Sequence, residues 1–210
     1  MNVSKKSLIE GLSYALDIAE GSYFSHSKHV AYTSVLIGKS LNLSNERLSE
    51  LYYVALLHDI GADEHYNIKS HSEIGARTAK RLNLSQNSID AIKYHHEYSN
   101  GTGINGLTND KIHLMAKIIL LANLLDLKIQ EYKKNLSEEI TFEMHHRLID
   151  HLNSIKHLVD PIILEHLLKL VNQPYFLLSY LNIRHNDIQL QIKLVLINHF
   201  SRVNLWLKII

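Results

Sequence analysis

Apolar side chains recur every three or four residues along most of the chain, which is the period of a helix with one buried face. The first such segment spans residues 4–20 and stops at Gly21. The second spans residues 25–41 and places His26 on the same stripe as Val30. The sequence therefore predicts two amphipathic helices, and the second turns a histidine toward the core.

Polar capping residues divide the next part of the chain into three short helices. The predicted N-caps of the third, fourth and fifth helices are Ser44, Ser70 and Ser85. The third helix is predicted to end at Gly61, and the fifth at His95 and His96. Ser70 and Glu73 have the spacing of a capping box, which places His71 in the first turn of the fourth helix.

A loop and four more helices complete the predicted pattern. Residues 97–110 contain three glycines and three asparagines, a composition typical of a loop. A strongly apolar helix over residues 110–127 follows, and its buried side carries Asn123 and Asp126, which require polar partners there. The remaining helices are predicted over residues 138–157, 161–171 (with Asp160 as N-cap and Pro161 at the first helical position) and 186–207.

These elements predict an all-α fold, and the scarcity of Gly and Pro, at 8 and 2 residues, agrees with it. We assign residues 1–172 to one helical domain and residues 173–210 to a C-terminal helical extension. The last helix stays apolar to its end, so it is a candidate element for a homodimer or a connector to a further domain.

Composition narrows the class of protein. Hydrophobic residues make up 46% of the chain and charged residues 20%, which is the balance of a globular domain. The net charge of +1 favours neither a nucleic acid polymer nor an anionic membrane surface as partner. The longest apolar run, residues 51–57, is too short to span a membrane. The absence of cysteine predicts a cytoplasmic location and restricts any metal site to nitrogen and oxygen ligands.

Histidine is the residue that stands out, with 15 copies. Six candidate metal ligands lie at predicted helix ends in four segments: His26, His58, Asp59, His71, His95 and His96. For any one of them alone, an ordinary cap or surface residue is the favoured alternative. Their order together, with an imidazole and a carboxylate side by side after an apolar helix, favours a shared cation site.

The order of these residues resembles the HD-domain phosphohydrolases. The matching segments are His26 with Val30, Leu56-Leu57-His58-Asp59-Ile60-Gly61, His71 with Gly75, and His95-His96-Glu97. Three further segments are similar to the HD-GYP subfamily: Gly101-Thr102-Gly103 with Gly106-Leu107, the helix at residues 122–127, and Val159-Asp160-Pro161. The resemblance covers residues 23–170.

The resemblance implies an HD-domain helical bundle that holds two divalent ions, iron or manganese, and hydrolyses cyclic di-GMP. It implies that one ion is held by His26, His58 and Asp59, and the other by His71, His95 and His96. Asp59 would be the bridging, catalytic carboxylate. The implied substrate-binding loop contains Gly101, Gly103 and Asn105.

Several positions depart from the family pattern. Ala62 stands where the family has a phosphate-binding lysine, and Asn123 where it has its final aspartate ligand. An amide oxygen is a poorer donor to a hard cation than a carboxylate, so Asn123 would be a weaker metal ligand. Ile104 and Asn105 replace a tyrosine and a proline in the loop, and His29 replaces an arginine.

These departures leave three hypotheses about function. The leading one is a phosphodiesterase in which a hydroxide held between two metal ions attacks the phosphorus of a cyclic dinucleotide. The second is a domain that binds a nucleotide or a protein partner without turnover, which Ala62 and Asn123 motivate. The third is an HD nucleotidase.

Overall fold

The computed structural model describes residues 5–19, 26–62, 68–135, 142–173 and 175–181. The helices in these ranges are α1 (Lys5–Ala19), α2 (His26–Ser40), α3 (Asn45–Leu56), α4 (Ile68–Arg81), α5 (Gln86–Tyr94), α6 (Leu114–Asn135), α7 (Phe142–Ser154), α8 (Pro161–Val171) and α9 (Phe176–Leu181). Across the same ranges there is no β-strand, only one antiparallel bridge between Asn100 and Thr108. The prediction of an all-α fold is confirmed.

Two helices form the centre of the bundle. α2 packs against α3, α6 and α8, and α6 also packs against α5 and α7. Ile118, Ile119 and Leu121 of α6 point in different directions around the helix axis, yet all three are fully buried. A helix that is apolar on every side is stable only when neighbours surround it, so α6 occupies the middle of the core.

Three of the predicted N-caps are present in the structure. The Ser85 hydroxyl accepts a hydrogen bond from the Ser88 amide at 3.1 Å, and Ser44 caps α3 in the same way. The carboxylate of Asp160 accepts from the amides of Ile162 and Ile163 at 3.0 and 3.2 Å. Each cap satisfies a backbone amide that has no partner within its helix.

The prediction that Ser70 caps α4 is wrong, because the helix begins two residues earlier, at Ile68. Ser70 therefore lies inside the first turn. Capping-box spacing also occurs within helices, so the pattern alone does not fix a helix start. His71 nevertheless falls in the first turn of α4, as predicted.

The boundaries of the later helices also differ from the predictions. α6 begins at Leu114, because Lys111 N donates to the Thr108 carbonyl at 2.8 Å and closes a turn before the helix. It continues to Asn135, beyond the predicted end at residue 127. α7 ends at Ser154, where turns replace the helix predicted to residue 157.

α9 was not predicted, because a helix of six residues is too short to give a periodic signal. Its buried residues are Phe176, Leu177 and Tyr180, and it packs against α8. The final helix, predicted over residues 186–207, lies outside the described residues. The homodimer and the division at residue 172 therefore stay predictions.

None of the helices in the described ranges combines the length and the apolar character that a membrane-crossing segment needs. The cytoplasmic location stays a prediction.

The end of α3 is fixed against the first turns of α4 by a close backbone approach. A Cβ atom on Gly61 would lie 2.1 Å from the His71 carbonyl oxygen and 2.3 Å from the Gly75 amide nitrogen. Only glycine allows the two backbone segments to come this close. The contact brings the segment that carries His58 and Asp59 next to the segment that carries His71.

We expect Gly61→Ala to destabilise the fold by about 3 kcal/mol or more, because backbone atoms cannot move aside as side chains do. The measurement is urea unfolding followed by circular dichroism. Gly11→Ala is the matched control, since a Cβ there meets nothing within 4 Å. At that exposed helical position alanine should stabilise the protein by about 0.5–1 kcal/mol. Equal stability of the Gly61→Ala protein and the unaltered chain would contradict this account of the α3–α4 contact.

Candidate metal centre

Four segments bring the six predicted metal-ligating side chains into one buried cluster. His26 begins α2, His58 and Asp59 follow α3, His71 lies on α4, and His95 and His96 follow α5. All are buried except His96, which is partly exposed. Each comes from the first turn of a helix or from the residues that directly follow a helix.

Asp59 lies between two groups of imidazoles. Its Oδ2 atom is 3.6 Å from His26 Nε2 and 3.1 Å from His58 Nε2. Its Oδ1 atom is 3.3 Å from His71 Nε2 and 3.4 Å from His95 Nε2. The two carboxylate oxygens therefore face different sets of nitrogen atoms.

Two groups with the geometry of a metal site share this carboxylate. The first contains His26, His58 and Asp59, and the second contains Asp59, His71, His95 and His96. Within each group the potential ligand atoms lie within 4.8 Å of one another. In the second, His71 Nε2 is only 3.0 Å from His96 Nε2 and 3.4 Å from His95 Nε2. Nitrogen lone pairs this close repel unless a proton or a cation lies between them.

Backbone carbonyls orient two of the rings. His58 Nδ1 lies 2.8 Å from the Ala55 carbonyl, and His95 Nδ1 lies 2.7 Å from the Ile92 carbonyl. Both carbonyls are in the last turn of a helix, where the helix offers them no amide partner. A ring that donates its Nδ1 proton to such a carbonyl keeps Nε2 free to bind a metal.

Burial and charge set the protonation of the cluster. For Asp59 burial raises the pKa, but the nearby histidines outweigh it and hold the pKa well below its usual value. Burial and the neighbouring imidazoles lower the pKa of His96 to about 2, and burial lowers the pKa of His95. The ionised carboxylate of Asp59 and the neutral rings of His95 and His96 are in the state in which such groups bind metals.

The residues present fit divalent metal ions. His58 Nε2 and Asp59 Oδ1 are buried and make no hydrogen bond of acceptable geometry. Buried polar atoms rarely lack a partner, and here one such atom faces each of the two groups, which is the arrangement that a cation site in each group requires. Imidazole nitrogens with a carboxylate suit first-row transition metals rather than Ca²⁺ or Mg²⁺.

Asp126 is the polar partner behind His26. Its Oδ2 atom lies 2.6 Å from His26 Nδ1, and its Oδ1 atom lies 3.2 Å from His29 Nδ1. The hydroxyl of Tyr180 also donates to Oδ1. Burial lowers the pKa of His26, but hydrogen bonds and charge from Asp126 and Asp59 prevail and raise it to about 10.

Asn123 lies one turn before Asp126 on α6. It is almost fully buried, and its Oδ1 atom has no hydrogen-bond partner. Of the two polar residues that the sequence placed on the buried side of this helix, Asp126 has partners and the oxygen of Asn123 has none.

The loop that follows His96 is organised around the buried carboxylate of Glu97. Its Oε1 atom accepts hydrogen bonds from the backbone and side-chain nitrogens of Asn105 at 2.8 and 2.9 Å. Its Oε2 atom accepts from the Leu107 amide at 3.0 Å. A Cβ on Gly103 would lie 2.8 Å from the Glu97 Cα atom, so this position requires glycine. Gly101 turns the chain at a φ of 81°.

Sequence reasoning did not assign roles to Glu97, His29 or Tyr180. A signal existed for Glu97, because it is a carboxylate between a histidine pair and a Gly-rich loop. His29 was noted because it replaces an arginine of the family pattern, but the sequence did not indicate its partner. No sequence signal indicated Tyr180, which lies in a segment with a weak pattern.

Comparisons with known proteins agree with this geometry. A segment of 129 residues is 30% identical to the cyclic di-GMP phosphodiesterase PdeB of Borreliella burgdorferi and covers 52% of this chain and 34% of that protein. The chain therefore spans about a third of the curated relative that it matches.

Two solved structures share the fold. One is a cyclic GMP-AMP-specific phosphodiesterase of V. cholerae, V-cGAP3, with a TM-score of 0.68 and 23% identity over 89% of this chain and 52% of that one. The other is Bd1817, an HDG"Y"P protein of Bdellovibrio bacteriovorus, with a TM-score of 0.54 and 23% identity over 80% of this chain and 58% of that one.

The profile of the HD domain family matches residues 23–128, which is 106 of the 210 residues. The matched region includes every segment that contributes to the histidine cluster, from the start of α2 to the residues that follow α5. Because more than half of the chain matches, and the His58-Asp59 pair lies at the centre of the cluster, the chain belongs to the HD domain family.

Proposed function

We propose that this chain is a metal-dependent phosphodiesterase that hydrolyses a cyclic dinucleotide, with cyclic di-GMP as the first candidate substrate. The observation that carries the proposal is the buried Asp59 carboxylate, whose two oxygens face two separate groups of imidazoles. The names of the relatives support the substrate class, since one acts on cyclic di-GMP and one on cyclic GMP-AMP.

In this proposal two iron or manganese ions are held in the two groups. His26, His58 and Asp59 would hold one ion, and Asp59, His71, His95 and His96 the other. The amide oxygen of Asn123 is the further candidate ligand on α6. When bound, such ions lower the pKa of water and offset the negative charge on phosphoryl oxygens.

The chain supplies no side-chain nucleophile in this reaction. Water adds across one phosphodiester bond: a new phosphorus–oxygen bond forms, the bond to the 3′ oxygen breaks, and a proton ends on that oxygen. Burial raises the pKa of Asp59, but the nearby histidines hold it well below its usual value, so the carboxylate stays ionised throughout the reaction.

The loop at residues 101–107 is the proposed contact with the nucleotide. Gly101 and Gly103 allow the backbone to approach a ligand closely. The backbone nitrogen and one side-chain N–H of Asn105 bond Glu97, which leaves its amide oxygen and the second side-chain N–H for the substrate. Glu97 directly follows His96 in sequence, so the loop is fixed relative to the second group of imidazoles.

A second candidate function is binding without turnover. Ala62 carries no charge at the end of the segment that contains Asp59, and Asn123 is neutral. A site with these two changes has less positive charge for a phosphate and less negative charge for a metal than the family pattern provides. Such a domain would hold a nucleotide or a protein partner as a signalling module.

We expect the purified chain to contain about two metal ions and to linearise cyclic di-GMP in the presence of Mn²⁺ or Fe²⁺. Asp59→Asn should reduce the rate of hydrolysis by more than about 100-fold, because it removes negative charge from both groups. This loss is larger than the usual cost of removing a residue that only orients a metal ligand. Elemental analysis and product chromatography provide the measurements. His157→Ala is the matched control, because this exposed imidazole lies outside both groups.

The same assay separates the candidate functions. If the native chain is inert and Ala62→Lys combined with Asn123→Asp creates activity, the chain is a binding module. If mononucleotides are hydrolysed and cyclic di-GMP is not, the chain is an HD nucleotidase.

We expect Mn²⁺ binding to release about one proton per chain near neutral pH. Burial lowers the pKa of His26, but the carboxylates of Asp126 and Asp59 prevail and raise it to about 10, so its ring is protonated below that pH. A metal can bind Nε2 only after that proton leaves. Between about pH 6 and pH 8 the apparent affinity should therefore rise up to about tenfold per pH unit.

Calorimetric titration in two buffers of different ionisation enthalpy measures this proton release. His26→Ala should abolish the released proton. Binding that is independent of the buffer in the unaltered chain would show that His26 is not a ligand.

We expect Glu97→Gln to raise the KM by about tenfold while the metal content stays unchanged. In either orientation a glutamine amide presents an N–H group to a backbone N–H donor, so one buried hydrogen bond is lost at a cost of about 1–3 kcal/mol. Steady-state kinetics with metal analysis provides the measurement. Glu131→Gln is the control, because Glu131 is exposed, pairs with Lys128 and lies outside the loop. A loss of metal equal to the loss of activity would contradict a role limited to the loop.

A further inference from the structure

Asp126 is the meeting point of three elements. It lies on α6 and is fully buried. His26 and His29 reach it from α2, and Tyr180 reaches it from α9. α9 lies beyond the residues 23–128 that match the HD domain family, so one partner of this carboxylate comes from outside the matched region.

The two carboxylate oxygens of Asp126 contact different partners. Oδ2 lies 2.6 Å from His26 Nδ1, and Oδ1 accepts a hydrogen bond from the Tyr180 hydroxyl. His29 Nδ1 is also 3.2 Å from Oδ1, but its angle does not meet hydrogen-bond geometry. Tyr180 is therefore the principal donor that holds Oδ1 in place.

Tyr180 is itself held rigidly. Its side chain is fully buried, and its ring stacks on His29 with 4.5 Å between centroids and 15° between planes. The ring of Phe176, one turn earlier on α9, packs against it at 6.0 Å. A phenol in this position has a single orientation, so its hydroxyl fixes the rotation of the Asp126 carboxylate.

The carboxylate in turn determines how His26 is presented. When Nδ1 of a histidine donates to a carboxylate, the ring orientation is fixed and Nε2 becomes the metal-binding atom. His26 Nε2 lies 3.6 Å from Asp59 Oδ2, on the side of the first group. If Asp126 rotated, the Nδ1 hydrogen bond would lengthen and Nε2 would turn away from Asp59.

We propose that Tyr180 is a positioning residue for the metal ligand His26, acting through Asp126, so that α9 contributes to metal retention in the first group. The inference rests on the proposed role of His26 as a metal ligand and extends it to a segment outside the family match. It follows from the contacts that join Tyr180, Asp126 and His26 in one buried chain.

The test is calorimetric titration of the metal-free chain with Mn²⁺, without nucleotide, on Tyr180→Phe. This change removes only the hydroxyl and keeps the ring on His29. We expect one of the two binding steps to weaken about tenfold, the lower end of the effect of losing an outer-shell partner. The other step, at the group containing His71, His95 and His96, should not change.

Three further variants show whether the effect passes through Asp126. Tyr175→Phe removes the hydroxyl of a neighbouring tyrosine that is 74% exposed, and it should leave both steps unchanged. Asp126→Asn should weaken the first step about 10–100-fold. Adding Tyr180→Phe to Asp126→Asn should cause no further loss, since the two residues act in one chain.

Leu152→Ala tests whether a general loss of stability is enough to weaken metal binding. It opens a cavity in the core at a buried position of α7. It should lower the unfolding temperature and leave the Mn²⁺ affinity unchanged. On the unaltered chain, NMR should show a slowly exchanging hydroxyl proton of Tyr180 that shifts when Zn²⁺ is added. That measurement does not depend on the folding of any variant.

The inference is overturned if Tyr180→Phe binds Mn²⁺ as tightly as the unaltered chain, if Leu152→Ala weakens binding equally, or if the Tyr180 proton does not respond to Zn²⁺. Absence of Mn²⁺ binding by the unaltered chain would overturn both this inference and the proposed function. Weaker binding by Tyr180→Phe in a chain that hydrolyses no cyclic dinucleotide would support the inference and reject the proposed substrate class.

Discussion

The arrangement of this protein depends on the carboxylate of Asp59 at the centre of a buried set of imidazoles. Taking a carboxylate out of water is costly, and a set of histidine nitrogens facing one another adds repulsion. His71 Nε2 and His96 Nε2 are only 3.0 Å apart, and a single carboxylate does not bridge them. Cations in the two groups would satisfy both oxygens and all the nitrogens together. The contacts that are costly without a cation are therefore the ones that would favour metal binding.

Helix ends bring these groups together, and the sequence encodes most of those ends locally. Ser44, Ser85 and Asp160 could be predicted as N-caps because a side-chain acceptor must lie beside free amides. The start of α4 could not, because the spacing of Ser70 and Glu73 is compatible with a helix that has already begun. The start of α6 depends on a turn closed between Thr108 and Lys111, which competes with the first helical turn for the same backbone groups.

The candidate site, like the helix ends, could be predicted only in part from the sequence. The order of the six histidine and aspartate residues was visible in the sequence, and the structure brings them into one cluster. Periodicity also showed that Asp126 needs a partner, since it lies on the buried side of an apolar helix. It could not show which partner, because Tyr180 is 54 residues away on a helix of six residues. Long-range pairing of this kind is decided by packing, and no local pattern carries it.

In the proposed metal centre, the neutral amide of Asn123 would have a compensation in the charged carboxylate of Asp126. A neutral amide in place of a carboxylate removes one negative charge from the immediate surroundings of a cation. Burial raises the pKa of Asp126, one turn along the same helix, but the hydrogen bond from His26 and the nearby His29 outweigh it and lower the pKa, so Asp126 retains its charge. A carboxylate that accepts the Nδ1 proton of a ligating histidine makes that ring a stronger donor. In the proposed metal centre, the charge of Asp126 behind His26 would offset the neutral amide of Asn123, and the metal affinity of the first group would depend on how firmly Asp126 is held.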